Sequence, residues 1–417
     1  MKKYLNSLGP AIIVAAVVLG PGSILTASQT GAEFGYSMTW VLAIAVILMI
    51  GACALCARLG AILDGTPCDE LARRLGRPVA VAVGIIVFLI AAGFQTSNNL
   101  GILKALSPFI DPDSHPWLSK WLPVILVSGL NGALIAIVYR SRSLYTPVER
   151  AMKFLVGLMI IAFLANLLVT GPSISQTLKG LVPRLPETGG TRSNLLAVMG
   201  LMATTFSIAG AFYQAYLVRD RGWKIDDVRR TFIDCLTGIL ALGGITLIIM
   251  MSAAATLHGK DIPQNVSAVA KQLEGLFGPW AGIVFTVGIV AGALSSFLVN
   301  SMVGGRFLAD GMGRGKSADA PWSRHGTALA LAAGLVGGLI AFLFVDPSER
   351  GATAPIIIAQ ASTMIGAPAL ALSILYLATR KGIRSPRWML ALCWIGLIVT
   401  LVLVWRTGTV LMPKLFG

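Results

Sequence analysis

The chain has 417 residues, of which 56% are hydrophobic and 12% charged, and its mean hydropathy is +0.80. A soluble domain needs about a quarter of its residues charged to cover its surface, so this composition excludes an ordinary water-soluble globule and places most of the surface in lipid. A formal net charge of +15 would suggest nucleic acid in a polar chain; in an apolar one it first reports which loops face the cytoplasm.

Eleven charge-free stretches are each long enough, at about 1.5 Å per residue, to cross most or all of a hydrocarbon core about 30 Å thick. The first, Tyr4 to Ala32, is longer than the apolar core of a signal peptide and is expected to stay as a membrane helix. It contains Leu19-Gly20-Pro21-Gly22-Ser23. Proline between two glycines removes an amide donor and supplies permissive backbone, which unwinds a helix and frees carbonyls and a half-helix N-terminus. Such groups persist in hydrocarbon where they line a polar cavity, so Gly20 and Ser23 are candidate substrate or metal contacts; a packed proline kink is the plainer alternative. Glu33, about 15 Å beyond Ser23 along a helix, belongs near the outer end, as a pathway acid or a solvent-facing one.

Phe34 to Ala57 follows, with Cys53 and Cys56 in a C-x-x-C that lacks nearby histidine or carboxylate and reads as packing. The third stretch, Pro78 to Leu103, carries Gln95, Thr96, Ser97, Asn98 and Asn99. Amides in lipid cost several kcal/mol unless paired, so these face the bundle. Gln95 and Asn98, at i and i+3, look into one interior space, either lining the pathway or bonding between helices. Asn131 is the comparable amide of the fourth stretch, Trp121 to Tyr139, and the fifth is Phe154 to Leu178.

The sixth, Ser193 to Val218, is interrupted by Ala203-Thr204-Thr205-Phe206-Ser207-Ile208-Ala209-Gly210. Such hydroxyls can simply satisfy backbone carbonyls. Yet the first and sixth spans open two five-span halves, and an odd number of spans inverts the second half. Interruptions at matching positions of inverted halves mark a transporter site, which adds Thr204 and Ser207 to the candidates. Cys235 to Gly259, Gly275 to Gly305 and His325 to Val345 come next; Ser295 and Ser296, beside Gly292, read as structural. The tenth span, Gly351 to Thr379, holds Gln360 between Pro355 and Pro368 in a helix expected to bend, and Gln360 joins the candidate site. Trp388 to Trp405 is an eleventh span outside the repeat.

The expected organisation is an all-α integral membrane protein: a first five-helix repeat over 1–178, a second, inverted repeat over 179–379, and a last helix over 380–417. With a cytoplasmic N-terminus, 23 of the 33 Lys and Arg fall inside and 10 outside, while the 18 acids divide ten to eight. The positive-inside rule is then met on every internal loop, which implies the cytoplasmic membrane, an outside C-terminus and no nucleic-acid partner. Asp64, Asp69, Glu70, Asp226, Asp227 and Asp234 fall among the inner arginines as loop or gate ion pairs. The polar connections, the longest roughly Arg58 to Arg77 and Gly171 to Arg192, are too short to bury a soluble core. No G-x-x-x-x-G-K-[ST] and no hydrolase constellation occurs, so neither an ATPase nor an enzyme is implied, and no cofactor. The expected partners are the bilayer and a transported ion or small solute.

These residues resemble the Nramp family, proton-coupled divalent metal transporters with the inverted-repeat architecture of the amino acid, polyamine and organocation superfamily. The likeness is carried by Leu8-Gly9-Pro10-Ala11, by Gly20-Pro21-Gly22-Ser23 with Gly31-Ala32-Glu33-Phe34-Gly35-Tyr36, by Val148-Glu149-Arg150, by Ala291-Gly292-Ala293-Leu294-Ser295-Ser296, and by Gln360. The family's first helix has Asp-Pro-Gly-Asn, whose aspartate and asparagine bind metal; here those positions are Gly20 and Ser23. Its sixth helix offers an alanine carbonyl and a methionine sulfur, then proline and histidine; here the stretch gives Thr204, Ser207, Ile208 and Ala209. The acids serving proton transfer in its third helix stand here as Gln95 and Asn98. Without carboxylate or sulfur, a dry, high-affinity site for a soft transition metal is not expected. Two readings stay open: a weakly bound, largely hydrated divalent cation of the Mg²⁺ type, or a small organic solute or anion in a neutral pocket facing half-helix N-termini.

Overall fold

A computed structural model describes residues 14, 20–106, 109, 115–140, 161, 163–184, 195–260, 266–344, 354–380 and 382–416, which are helical and contain no strand. Nine of the expected spans, the second to fourth and the sixth to eleventh, are helices long and apolar enough to cross a membrane. Apart from the single turns Val266–Ala270 and Glu274–Phe277, the α-helices in chain order are α1 Pro21–Phe34, α2 Thr39–Ile62, α3 Pro67–Leu75, α4 Arg77–Leu106, α5 Pro116–Arg140, α6 Ile174–Lys179, α7 Leu195–Thr205 and α8 Ile208–Asp220. They continue with α9 Val228–Thr256, α10 Ala281–Gly311, α11 Pro321–Leu343, α12 Ala354–Ser362, α13 Ala367–Ala378 and α14 Arg387–Phe416. The first and fifth spans are represented by α1 and by helical residues 163–170. Residues 4–13, 15–19, 154–160 and 162 of these spans, Leu8-Gly9-Pro10-Ala11 among them, lie outside the described residues, as does Val148-Glu149-Arg150.

The expected breaks are present. Gly20 is extended (φ −119°, ψ −179°) and Pro21 opens α1, where its missing N–H costs nothing. The sixth span divides at Phe206 and Ser207 into α7 and α8. The tenth bends through a 3₁₀ turn, Thr363–Gly366, between its two prolines. Two short helices appear where polar connections were read: α3, which Thr66 caps by accepting Asp69 N–H at 3.1 Å, with acids in its first turn and arginines in its last, and α6, which Ser173 caps.

In lipid, close packing rather than hydrophobicity joins helices, and small residues set the approach. Antiparallel α4 and α10 touch at backbone distance: a β-carbon on Gly84 would lie 2.6 Å from the Phe307 carbonyl, and one on Gly311 2.5 Å from that of Ala80. Gly334 and Gly338 of α11 seat Gln95 and Asn99 in the same way. The five cysteines are free and buried, so the C-x-x-C is packing. Exposed Trp117, Trp121, Trp280 and Trp405, with Trp322 and Trp388 at the opposite helix ends, match the aromatic girdles of a membrane protein.

The arginine-rich end is tied shut by ion pairs. Glu70 is buried against Arg73, Arg74 and Arg380, and Lys316 reaches Asp69 at 2.5 Å. Arg306, only 2% exposed, grips Asp220 with both terminal nitrogens (2.5 and 2.7 Å) beneath the Tyr216 ring. Asp234 is instead held by Gln214 within the bundle.

Candidate functional site at the paired helix breaks

The two broken spans run past each other with their breaks at one level. On one side a β-carbon at Gly200 of α7 would touch Thr26 of α1; on the other, one at Gly210 of α8 would touch Val14. Gly20 lies between Val14 and Thr26, and Thr204 to Ser207 between Gly200 and Gly210, so the interruptions face one another across the contact.

Each break supplies an N-terminus, and some of the donors of each are satisfied locally. Pro21 has no N–H, while Ser23 and Ile24 donate to the Gly20 carbonyl at 3.0 and 3.2 Å. Ser207 Oγ accepts Gly210 N–H at 3.3 Å, and its carbonyl accepts Ala211 N–H at 2.9 Å. Thr204 hydroxyl donates back to the Leu201 carbonyl (3.1 Å), as threonine does in membrane helices. In the last turn of α7 the Met202 carbonyl accepts Phe206 N–H at 2.8 Å, and the carbonyls after it, at the break, are released from the helical ladder.

Two amide side chains close on the first break. A β-carbon on Gly20 would lie 2.7 Å from Asn98 Oδ1 and 3.1 Å from Ser296 Oγ, so α4 and α10 both press on it. Gln360 of α12 lies flat on Gly22, where a β-carbon would fall 2.0 Å from its Nε2. Backbone carbonyls orient both amides. Gln95 Nε2 donates to the Phe297 carbonyl, so Gln95 Oε1 faces Asn98 and accepts its Nδ2 at 2.9 Å. Ser97 donates to the Ile356 carbonyl (3.4 Å) and therefore accepts Gln360 Nε2 (2.8 Å). With their nitrogens engaged, Asn98 Oδ1 and Gln360 Oε1 are left buried without a hydrogen-bond partner.

Gly20, Ser23, Gln95, Asn98 and Gln360 are thus brought together, and Thr204 and Ser207 face them at the second break; all are buried. Asn131 is not with them: it donates to Asn99 Oδ1 (2.7 Å) and the Val127 carbonyl (2.9 Å), on the face of α4 that meets α5 and α11. Glu33 is half-buried in the last turn of α1, at the other end of that helix. Ser296, read as structural, belongs to the site through Gly20 and accepts Asn300 Nδ2 at 2.7 Å, whereas Ser295 bonds its own helix at Gly292 O (2.9 Å). Ser97 is likewise an inner part of the site. Their i, i+4 spacing would have paired Ser296 with Asn300, but nothing in the sequence turns that pair toward Gly20.

Solved structures share this fold. A variant of the manganese transporter of Eremococcus coleocola superposes with a TM-score of 0.81 over 100% of this chain and 88% of that one, at 16% identity. A nucleobase-cation-symport-1 family transporter gives 0.54 over 97% and 92%, at 14% identity. The fold is therefore the inverted-repeat transporter fold with broken first and sixth spans. In sequence, the chain is 26% identical to a divalent metal cation transporter of Deinococcus radiodurans over 100% of this chain and 92% of that protein. It is 27% identical to one from Bacillus subtilis over 71% and 69%. The model of the natural resistance-associated macrophage protein-like family, Nramp, matches residues 11–409, and the chain belongs to that family.

Proposed function

We propose that this protein is an alternating-access carrier for a divalent metal cation, held weakly and with much of its water between the two breaks by Gly20, Ser23, Thr204, Ser207 and Gln360, with Gln95 and Asn98 alongside. Curated relatives bear the name divalent metal cation transporter. The observation that carries the reading is that the site offers acceptors: two buried amide oxygens without hydrogen-bond partners lie against the first break, and carbonyls of the last turn of α7 lie at the second. Neutral oxygens suit a hard ion, and Mg²⁺ gives up its water reluctantly, so an ion that keeps much of its shell fits a site without carboxylate.

With Gln95 and Asn98 in place of relay acids, the membrane potential drives uptake; two charges moving through 100 mV gain about 4.6 kcal/mol. The arginine-rich end faces the cytoplasm of the inner membrane, and release there requires separating the ion pairs of Glu70, Asp69 and Arg306. Terminal reporter fusions check that orientation.

The test is Mg²⁺ and Mn²⁺ flux into liposomes holding the purified protein, with an inside-negative potential and empty liposomes as control. Saturable flux that follows the potential and is lost in Ser23→Trp is expected. No flux of either ion through folded protein, with thermal stabilisation by a small metabolite instead, refutes the cation reading in favour of an organic solute.

A further inference from the structure

The proposed function leaves open which side chains meet the ion, and the hydrogen-bond directions around Gly20 point to Asn98. A backbone carbonyl can only accept. Phe297 O therefore fixes Gln95 with its nitrogen outward, Gln95 Oε1 fixes Asn98 by its nitrogen, and Asn98 Oδ1 is turned to the first-helix break. Asn98 is fully buried, and this oxygen is without a partner. A buried acceptor left unpaired is a standing cost that a ligand removes.

Resting on the reading of this chain as a divalent-cation carrier, we propose that Asn98 Oδ1 contacts the transported cation through a coordinated water and sets the site's affinity, with Gln95 as the positioning residue that holds this oxygen outward. Water on a divalent ion is a strong donor, and an amide oxygen with its own nitrogen engaged is a fixed acceptor for it. The chain places no formal charge at this point, so the contact orders the hydrated ion without stripping it. Gln95 works at one remove. If its bond to Phe297 is lost, Asn98 is free to rotate and present its nitrogen, a donor that repels the ion's water.

The experiment is concentration-dependent Mg²⁺ flux in proteoliposomes for the wild type and four variants, each shown to be monodisperse and folded by its melting curve. Asn98→Leu, close in size but without an acceptor, raises KM by about fivefold or more with a smaller change in kcat. Asn98→Asp, which adds a charge in the same place, lowers KM by about fivefold or more. Structural damage does not move KM in opposite directions at one position. Gln95→Leu raises KM in the wild-type background. In Asn98→Asp it does not, because the two carboxylate oxygens are equivalent and need no orienting.

An unchanged KM in Asn98→Leu, or the same rise from Gln95→Leu in both backgrounds, overturns the proposal while the carrier reading stands. A wild type that carries no divalent cation removes the carrier reading, and the proposal falls with it.

Discussion

Gly22→Ala should destabilise this protein, against the usual sign for that change in a helix. Gly22 lies in the first turn of α1 with an ordinary φ, where alanine normally gains about 0.5–1 kcal/mol over glycine. Here the new β-carbon would lie 2.0, 2.4 and 2.5 Å from Nε2, Cδ and Cγ of Gln360. Three consecutive atoms overlap, so rotating the terminal amide gives no relief, and the whole side chain must leave. It then loses its 2.8 Å bond to Ser97, in a place where both groups are buried. Overpacking of this kind costs about 1–3 kcal/mol and an unsatisfied buried polar group about as much again, so after the helical gain of alanine the net loss is roughly 1–5 kcal/mol. Melting of the purified protein reads it as a drop of a few degrees. The decisive measurement is the cycle with Gln360→Ala, which empties the space: in that background Gly22→Ala should be neutral or stabilising, a coupling at least as large as the loss in the wild type. A Gly22→Ala protein as stable as the wild type, or one whose loss is the same with and without Gln360, would falsify the placement of Gln360 on the break.

Two further outcomes follow from the chemistry outside and within the site. Burial by itself raises the Glu70 carboxyl, but Arg74, Arg380 and Arg73 outweigh it and hold it below the usual range. Such a group stabilises the fold above its unfolded value of about 4.3 and ceases to as the pH falls through its lower folded one. The melting temperature of the wild type should therefore fall more between about pH 5 and pH 3 than that of Glu70→Gln, and parallel falls reject the network. Ser207→Ala removes the cap of α8 and should cost about 0.5–2 kcal/mol, whereas Ser207→Thr keeps the acceptor; equal melting of all three proteins shows that the cap is not formed.

The sequence shows the spans and their breaks because both depend on local composition. A run without charge must be a membrane helix, and Gly20-Pro21-Gly22 cannot hold a regular one, whatever surrounds it. Which way an interior residue faces is a property of packing, and there the pattern is silent. Asn98 and Asn99 are neighbours of identical chemistry, about 100° apart round the helix. One meets Gly20 and the other Asn131, because α10 and α11 press on different sides of α4, and the spacing of their glycines does not say which side. Ser295 and Ser296 divide in the same way. The short helix α3 is less legible because its charges, Asp69, Glu70, Arg73 and Arg74, place it in a polar connection, and only its cap and charge order mark it as helical.

The orientation of the Asn98 amide is a longer-range matter still, since the group that settles it, the Phe297 carbonyl, lies 202 positions from Gln95 in the chain. This dependence gives a physical account of how a site can lose its charged ligands and keep a preference for cations. A carboxylate attracts a cation in any rotamer, whereas an amide does so only when its nitrogen is engaged elsewhere. Replacing acids with amides therefore moves the requirement from the ligand to its neighbours: Gln95 and Phe297 O for Asn98, Ser97 and Ile356 O for Gln360. The gain is in release. A divalent ion paired with buried carboxylates must leave uncompensated charges behind, a penalty of several kcal/mol per ion, whereas neutral oxygens are left with a modest unmet hydrogen bond each. In the carrier proposed above, a hydrated ion held this way enters and leaves cheaply, and its electrochemical gradient sets the direction of transport.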